Sequence, residues 1–554
     1  MFHCILFCCS LCLQLEIKRL QESCGWESFH GGSESWRVFL EPSAEGHIQA
    51  HFSPAVNALM GQVHVNEASL SCIRARIEAL STFLLPVLRL PPEVLIYIFK
   101  LGSRMLQDDP ILGSSIPRPL PLVVSAVCRQ WRDIAVTTPD LWTNLVIKHP
   151  RPYGWVPLSL QRSAESPIDI TIDCRSTNLL TAPVVDQLMT RLMVHLPRWR
   201  RFALNSTDPA TIYAVGRRLA DSSAPMLRHL QLSLSGSSGN QEVLLPEIFQ
   251  GGAEALTSVR YDSLCTPWTA PPLVNLTVLD LRWLWLQTRL QYEQFRAVLA
   301  ASPNIRALIL RGTYIHLHSG RQYPPLAIPT LRYLEVSGDN VCRMSSLLET
   351  PGLEELTLAN LDETEFREFV ASLPVPGEPR SCGPGEEGGV GGSSEMEDAS
   401  GSGMDDMEAE MELEAAPVVC TATMRYPHLR SLALLNASMC TPTRRFTRAL
   451  PTITHLTVIN SATAKFLQLF REESVEALRG GREGLSWPHL RKFTFIDEVD
   501  HFLLHGVLRD RKAAGAPLEC LVFNAPPYLH DDNLIGTLEE LVRVEIVKDV
   551  DLDH

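Results

Sequence analysis

The stretch LRLPPEVLIYIFKLGSRM (residues 88–105) decides how the first part of this chain folds. Pro91 and Pro92 suit the start of a helix, because proline fixes φ near its helical value and the first turn needs no N–H partner. Glu93 follows where the positive end of the helix dipole favours an acidic side chain. The apolar residues after it recur at helical spacing: Val94, Leu95, Ile98 and Phe99. The stretch therefore predicts a helix with one apolar face.

Two further stretches follow a proline-rich spacer at residues 100–122, namely LPLVVSAVCRQWRDIAV (residues 120–136) and TTPDLW (residues 137–142). They contain a second apolar stripe at helical spacing, formed by Val123, Val124, Val127, Trp131 and Ile134. A unit of two or three short helices buries little apolar surface for its size. We therefore expect this helical unit to need a neighbour.

Together these elements resemble the F-box-like domain that is abundant in mushroom-forming fungi. The matching elements are LPPEVLIYIF (residues 90–99), VCRQWRDIA (residues 127–135) and TPDLW (residues 138–142), while the spacer is longer than in a compact F-box. The resemblance implies an all-α module over residues 86–145 that binds the Skp-type adaptor of a cullin–RING ubiquitin ligase.

The adaptor-binding residues that we predict from this resemblance are Leu90, Pro91, Glu93, Leu95, Ile98, Phe99, Val127 and Trp131. We expect the apolar face formed by Leu90, Pro91, Leu95, Ile98 and Phe99 to stay partly exposed, as interaction surfaces do. The alternative is that the same residues form an ordinary buried helical hairpin.

A repeated pattern follows this region, with apolar residues in the order apolar-x-x-apolar-x-apolar. Most successive copies are separated by roughly 20–29 residues, the period of leucine-rich repeats. The copies lie at residues 199–204, 227–232, 256–261, 276–281, 305–310, 331–336, 353–358, 429–434, 453–458, 490–495 and 518–523. Each copy predicts one strand.

Helical patterns lie between these strand cores, at residues 184–192, 295–299, 366–373 and 466–470. A strand and a helix cannot bury their apolar faces alone, so stacked units predict a solenoid with a parallel sheet along one side. We place its two parts at residues 183–373 and 417–546. The predicted fold class is an α/β solenoid of irregular leucine-rich repeats, preceded by the small all-α F-box-like module.

The asparagine ladder of regular leucine-rich repeats is not expected. Asn360, Asn436 and Asn460 fall one residue before its usual position, which indicates an irregular and divergent array. A single compact α/β domain is the alternative, because alternating strand and helix patterns also suit a wound sheet.

An acidic insertion at residues 374–416 separates the two parts of the array. It contains 12 acidic residues and one arginine, so it supplies −11 of the net charge of −14. Its content of glycine, serine and glutamate, without aromatic residues, predicts disorder, because little apolar surface offsets the entropy of ordering. We favour a solvated spacer over an acidic tail that attracts a basic partner.

Deleting residues 377–415 should leave the melting temperature nearly unchanged, since the closure entropy of a loop grows slowly with its length. Thermal unfolding of the deletion variant and the full chain measures this difference. A melting temperature lowered by several degrees would instead show that the segment packs against the rest of the protein.

The sequence of the first 64 residues does not indicate a defined domain, so we describe residues 1–64 as a poorly defined N-terminal segment. Their apolar stretch, residues 1–15, is shorter than the roughly 20 residues that span a bilayer, so we expect no membrane association. A helical pattern at residues 65–85 predicts a helix leading into the F-box-like region.

Most of the 14 cysteines lie apart among apolar residues, which indicates a reducing compartment and a cytoplasmic or nuclear location.

No catalytic motif is present, and the one Cys-x-x-Cys pair, Cys9 and Cys12, lacks the second pair that a zinc site needs. We therefore predict a non-enzymatic protein without cofactors or nucleic-acid partners. We predict the substrate-recognition subunit of a Skp–cullin–F-box type ubiquitin ligase, whose solenoid binds a protein target. Strand residues between the core positions face outward in such arrays, and we predict target binding by Arg228, Arg306, Arg332 and Glu335. The main alternative is a leucine-rich-repeat scaffold outside any ligase, and a third is an enzyme with an irregular α/β fold.

Overall fold

The structure is a computed structural model. It describes residues 65, 67–75, 87, 90–108, 119–148, 154–175, 180–235, 245–264, 268, 273–284, 289–312, 315–317, 321–337, 341–376, 424–437, 440–480, 485–496, 499–523 and 532–546. The predicted N-terminal segment (1–64), the second half of the predicted leading helix (76–85) and residues 377–416 of the predicted acidic insertion lie outside the described residues.

Two compact units make up the described chain. Unit 1 contains the described residues up to Asn144 together with Val156–Ser166. Unit 2 contains Leu145–Trp155 and the described residues from Pro167 onward.

Unit 1 is helical. Residues 67–75 form a helix within the predicted leading helix. The remaining helices are α1 (Pro92–Asp108), α2 (Leu120–Ser125) and α3 (Arg129–Thr137), a 3₁₀ turn (Pro139–Trp142) and α4 (Trp155–Arg162).

Helix α1 begins where the two prolines predict it. The carbonyl oxygen of Pro91 accepts hydrogen bonds from the N–H groups of Val94 at 3.0 Å and Leu95 at 3.2 Å. Pro92 is the first helical residue, where the missing N–H costs nothing. The prolines therefore fix the start of the helix that carries most of the predicted adaptor-binding residues.

The second apolar stripe is divided between α2 and α3. The chain turns at Ala126 and Val127, and Cys128 adopts an extended conformation with φ −154° before α3 begins. Helical spacing alone does not reveal this break, because the apolar residues keep their period across it.

One apolar core holds unit 1 together. It consists of Leu95, Phe99, Leu120, Val124, Trp131, Ile134, Ala135, Leu141 and Trp142. Within it the rings of Phe99 and Trp131 meet edge to face, with 4.8 Å between their centroids. The core therefore joins α1, α2, α3 and the 3₁₀ turn.

Unit 2 contains a large sheet. Across the described parts of the chain, fourteen strands form it in chain order, and every pairing from β2 onward is parallel. Four shorter strands form two further parallel pairs, β7 with β9 and β10 with β12. The strands are β1 (Asn144–Ile147), β2 (Ile168–Asp173), β3 (Trp199–Ser206), β4 (His229–Leu234), β5 (Ser258–Asp262), β6 (Val278–Arg282), β7 (Leu290–Gln291), β8 (Ala307–Arg311), β9 (Ile315–His316), β10 (Leu326–Ala327), β11 (Tyr333–Ser337), β12 (Leu348–Glu349), β13 (Glu355–Ala359), β14 (Ser431–Leu435), β15 (His455–Ile459), β16 (Lys492–Phe495), β17 (Cys520–Phe523) and β18 (Arg543–Ile546).

Helices connect many of these strands, and the four predicted helical patterns are confirmed by α5, α7, α9 and α11. The helices are α5 (Ala182–Met193), α6 (Pro209–Leu219), α7 (Tyr292–Ala300), α8 (Val341–Leu347), α9 (Glu363–Ser372), α10 (Arg444–Ala449), α11 (Thr463–Gly480), α12 (His501–Ala513) and α13 (Asp532–Glu539).

The repeated apolar pattern forms two buried ladders across the sheet. One ladder pairs Leu279, Leu308, Leu334 and Leu356 on neighbouring strands, and the other follows two residues later on each strand. Side chains two residues apart in a strand share a face, and these are buried. The ladders confirm the predicted strand positions, and the sheet also includes β1 and β2, which precede the predicted start at residue 183.

Several strands end in a residue with a left-handed backbone conformation. Ser263, Trp283, Gly312, Asn360, Asn436 and Asn460 each directly follow a strand and have φ between 47° and 73°. The N–H of Asn360 bonds to the carbonyl of Leu435, and that of Asn436 to the carbonyl of Ile459, each at 2.9 Å. Asparagine tolerates this conformation better than most residues, which explains its recurrence.

The side chains of these three asparagines form a short row of hydrogen bonds, at a position one residue before that of the regular leucine-rich-repeat ladder. The side-chain amide of Asn436 donates to Oδ1 of Asn360 at 3.1 Å, and that of Asn460 donates to Oδ1 of Asn436 at 3.2 Å. The asparagines therefore lie at the residue with the left-handed backbone conformation, and their side-chain amides still hydrogen-bond to one another.

Candidate functional site

An exposed apolar stripe runs along α1 of unit 1. Val94, Tyr97 and Leu101 are 41%, 68% and 42% exposed, and they recur at positions i, i+3 and i+7. Such spacing places them on one face of the helix. We call these three residues the α1 stripe. Exposed apolar side chains grouped on one face are a common feature of interaction surfaces.

The predicted adaptor-binding residues divide into three groups. Pro91, Glu93 and Val127 are exposed, and Leu90 and Ile98 are half-buried. The other three are Leu95, Phe99 and Trp131, which are buried in the core of unit 1.

The expected partial exposure of Leu95 and Phe99 is therefore wrong. Leu95 is 0% exposed and Phe99 is 3% exposed, because both side chains face α2 and α3 across the core. Their role in the isolated unit is to hold α1 in place, while the α1 stripe faces outward.

The sequence contains a signal for the α1 stripe. From Val94 to Leu101 almost every residue is apolar, so one buried face cannot hold them all. Apolar residues on the same side of the helix as Leu95 and Phe99 face the core. The apolar residues on the other side must be exposed. The core-facing side of α1 could be assigned only once its packing partners were known.

An ion pair links α1 to the 3₁₀ turn of the TPDLW motif. Lys100 Nζ lies 2.6 Å from Asp140 Oδ2, with the two side chains 35% and 55% exposed. An exposed pair of this kind contributes at most about 1 kcal/mol. It fixes the orientation of the turn more than it stabilises the unit.

The predicted target-binding residues lie on the large sheet of unit 2, on or just before its strands. Arg228 and Arg306 are exposed, and neither has an ion-pair partner among the described residues. Arg332 is also exposed, but its Nε lies 3.4 Å from Glu354 Oε1 and its Nη1 donates to the Gly352 carbonyl at 2.5 Å. Of the three predicted arginines, Arg228 and Arg306 are therefore the more available to contact a partner.

Glu335 is not the outward-facing, target-binding residue that the sequence predicts. It is 3% exposed, and its carboxylate accepts hydrogen bonds from Arg311 Nε and, at 2.8 Å, from Tyr333 Oη. Two donors, one on the neighbouring strand and one on its own strand, satisfy the carboxylate. The expectation that Glu335 is available for target binding is wrong, because the pleat position alone does not show how closely neighbouring side chains cover it.

A second polar network lies on the same sheet as Glu335. Arg282 donates two hydrogen bonds to Asp280, at 2.8 and 3.0 Å, and Arg260 Nε lies 3.5 Å from the same carboxylate. Burial, followed by the nearby charge of Arg282, lowers the pKa of Arg260. Trp283 follows at the strand end and is 53% exposed. Sequence reasoning did not single out this network, whose members come from different repeats.

Metal and membrane sites are not seen in the described part of the chain. Within it, no three His, Cys, Asp or Glu side chains are close enough together to hold a metal ion. None of the helices that the structure describes has the length and apolarity to cross a lipid bilayer.

Residues 87–148 match the family model described as F-box-like. The match begins just before α1 and ends just after β1, so it includes the α1 stripe and the core of unit 1. F-box-like domains generally bind Skp-type adaptors, and this match supports an F-box protein. Comparison with curated proteins gives no match.

Proposed function

We propose that this protein is the substrate-recognition subunit of a Skp–cullin–F-box type ubiquitin ligase. The observation that carries the proposal is the coincidence of the F-box-like match with a helical unit that exposes an apolar stripe. Grouped exposed apolar side chains are typical of interaction surfaces, and a Skp-type adaptor is the partner that F-box-like domains generally bind. A cullin joins the assembly through that adaptor.

In this proposal unit 2 is the target-binding part. Its strands follow one another in chain order with two apolar ladders in register, which supports a solenoid of irregular leucine-rich repeats. Such arrays offer an extended sheet surface to a partner. The protein contributes no chemistry of its own and holds the target close to the ubiquitin-conjugating machinery. We place the protein in the cytoplasm or nucleus. Its F-box-like module is of the fungal type in this proposal.

The test is a double substitution in the α1 stripe, Tyr97→Asp with Leu101→Asp. Both side chains are exposed, so the change should have little effect on folding. Placing two carboxylates at the centre of an apolar interface should weaken adaptor binding by at least about 100-fold. The measurement is the dissociation constant between the purified full chain and a Skp-type adaptor, determined by calorimetry.

A matched control is Val194→Asp with Tyr213→Asp in unit 2, where these side chains are 76% and 48% exposed. The control should bind the adaptor as the original chain does. If the α1 variant remains folded by circular dichroism and binds with unchanged affinity, the proposed adaptor surface is wrong. A chain that binds no Skp-type adaptor at all would instead favour a scaffold that works outside a ligase.

A further inference from the structure

The pairing of β2 with β3 contains an irregularity that places two arginines side by side. Ile168 pairs with Trp199 and Asp169 pairs with Arg201, so Arg200 is an extra residue inserted in the register of β3. Neighbouring residues of a regular strand point to opposite faces. At this β-bulge Arg200 and Arg201 are both exposed, whereas Trp199 is buried.

The two arginines differ in how their charges are balanced. Arg200 Nε donates to Asp169 Oδ1 at 2.9 Å, and its Nη2 donates to Oδ2 at 2.5 Å. The Asp169 side chain is 9% exposed, and the Arg200 guanidinium holds its carboxylate in a two-point contact. Arg201, the register partner of Asp169, has no ion-pair partner among the residues that the structure describes.

The next strand adds a further cation. Arg228 directly precedes β4, and its N–H bonds to the carbonyl of Arg200 at 2.8 Å. His229 is the register partner of Arg201. Burial lowers the pKa of His229, and the charges of Arg201, Arg200 and Arg228 add to this effect against the opposing charge of Asp169. The positive charges of three guanidinium groups and the negative charge of one carboxylate therefore act on the imidazole of His229.

We call Arg200, Arg201, Arg228 and His229 the β3–β4 basic cluster. We propose that this cluster binds a short anionic segment of the target protein, through carboxylate or phosphate oxygens that pair with Arg201 and Arg228. The inference rests on the proposed target-binding role of unit 2 and adds the chemistry of the segment. Guanidinium groups suit such oxygens because they donate two hydrogen bonds in one plane.

A protein segment fits this cluster better than a nucleic acid. The cluster spans only two adjacent strands, β3 and β4. Nucleic acids need several phosphate contacts along an extended basic surface. A few anionic groups on a peptide match the small number of guanidinium groups in the cluster.

The test measures binding of labelled peptides to the purified full chain by fluorescence anisotropy. Three glycine–serine peptides of equal length carry a run of glutamates, a run of glutamines or paired phosphoserines. We expect the glutamate and phosphoserine peptides to bind at least about tenfold more tightly than the glutamine peptide. The ratio between the two anionic peptides distinguishes carboxylate from phosphate as the preferred group.

The variant Arg201→Glu with Arg228→Glu should abolish this preference for anionic peptides. Its matched control is Arg296→Glu with Arg367→Glu, which changes the net charge equally at helix positions that are 58% and 76% exposed. The control should retain the preference. Equal losses in both double variants would attribute the binding to net charge and overturn the proposal.

A third variant, Asp169→Asn, should strengthen binding of the anionic peptides, because it releases the Arg200 guanidinium from its carboxylate. Misfolding could not produce a gain of affinity. Equal binding of all three peptides overturns the proposal, as does tighter binding of a single-stranded oligonucleotide that depends on the same arginines.

Adaptor binding, measured on the same samples, separates this inference from the proposed function. If the adaptor binds but the anionic peptides do not, only the β3–β4 inference fails. If the peptides bind as expected but the adaptor does not, the ligase role fails while the peptide-binding cluster stands.

Discussion

Replacing Trp142 with alanine should destabilise unit 1 by about 3–5 kcal/mol, as expected for loss of a large core side chain. Trp142 is 1% exposed, and its indole Nε1 donates a hydrogen bond to the Ala135 carbonyl at 2.6 Å. The Arg162 guanidinium lies 4.8 Å from its ring centroid. A small helical unit has little stability to spare, so adaptor binding should be lost as well.

The effect is measured by urea denaturation of the full chain, together with adaptor binding. Trp142→Phe is the matched control, since it retains most of the buried aromatic surface and removes the indole N–H. We expect the phenylalanine variant to lose clearly less stability than the alanine variant and to retain adaptor binding. Two variants of equal stability would show that the ring contributes little to the core.

Replacing Arg511 with alanine should lower the free energy of unfolding of unit 2 by about 3–5 kcal/mol, because it removes one member of a buried polar network. Arg511 is 0% exposed, and it donates to the carbonyls of Ser486 at 3.1 Å and Trp487 at 2.9 Å. Burial lowers the pKa of its guanidinium to about 10, so it remains charged at neutral pH.

The carboxylate of Glu473 belongs to the same network. It is 2% exposed and accepts a hydrogen bond from the N–H of Ser486 at 3.0 Å. Without Arg511, the carbonyls of Ser486 and Trp487 lose the guanidinium donor, although the Trp487 carbonyl keeps a hydrogen bond from the N–H of Leu490 at 3.0 Å. Glu473 also loses a favourable charge, and each loss costs free energy. Urea denaturation followed by the fluorescence of the buried tryptophans measures the effect.

Glu473→Gln is the matched control, because glutamine retains an acceptor for Ser486. Burial raises the pKa of Glu473, so its contribution to stability is present below its unfolded pKa and is lost as the pH rises through its folded value. The glutamine variant should lose this pH dependence and cost less than Arg511→Ala. A larger loss of stability for Glu473→Gln would show that the carboxylate, not the arginine, holds the turn at Ser486 and Trp487.

Much of the fold follows from local patterns in the sequence. Pro91 and Pro92 define the start of α1 through a backbone restriction that no distant residue alters. The strand cores are recognised because each repeat places two apolar residues on one face, as Leu308 and Leu310 do in β8. A pattern repeated in this way predicts a parallel sheet without knowledge of the packing.

The candidate sites were less predictable, since they depend on contacts between residues distant in sequence. Leu95 and Tyr97 are both apolar members of α1, and only the positions of α2 and α3 decide that Leu95 is buried and Tyr97 exposed. Glu335 occupies an outward strand position, yet Arg311 and Tyr333 enclose its carboxylate.

The sequence by itself determined where α1 begins and where the repeated strand cores lie, because proline geometry and apolar periodicity act within a few residues. The tertiary structure alone decided which side chains remain available to partners. The bulge that exposes Arg200 beside Arg201 appears only when β3 pairs with β2, and the charge left on Arg201 depends on which arginine Asp169 binds. Availability depends on neighbours that folding brings together from distant parts of the chain, so local patterns alone do not decide it.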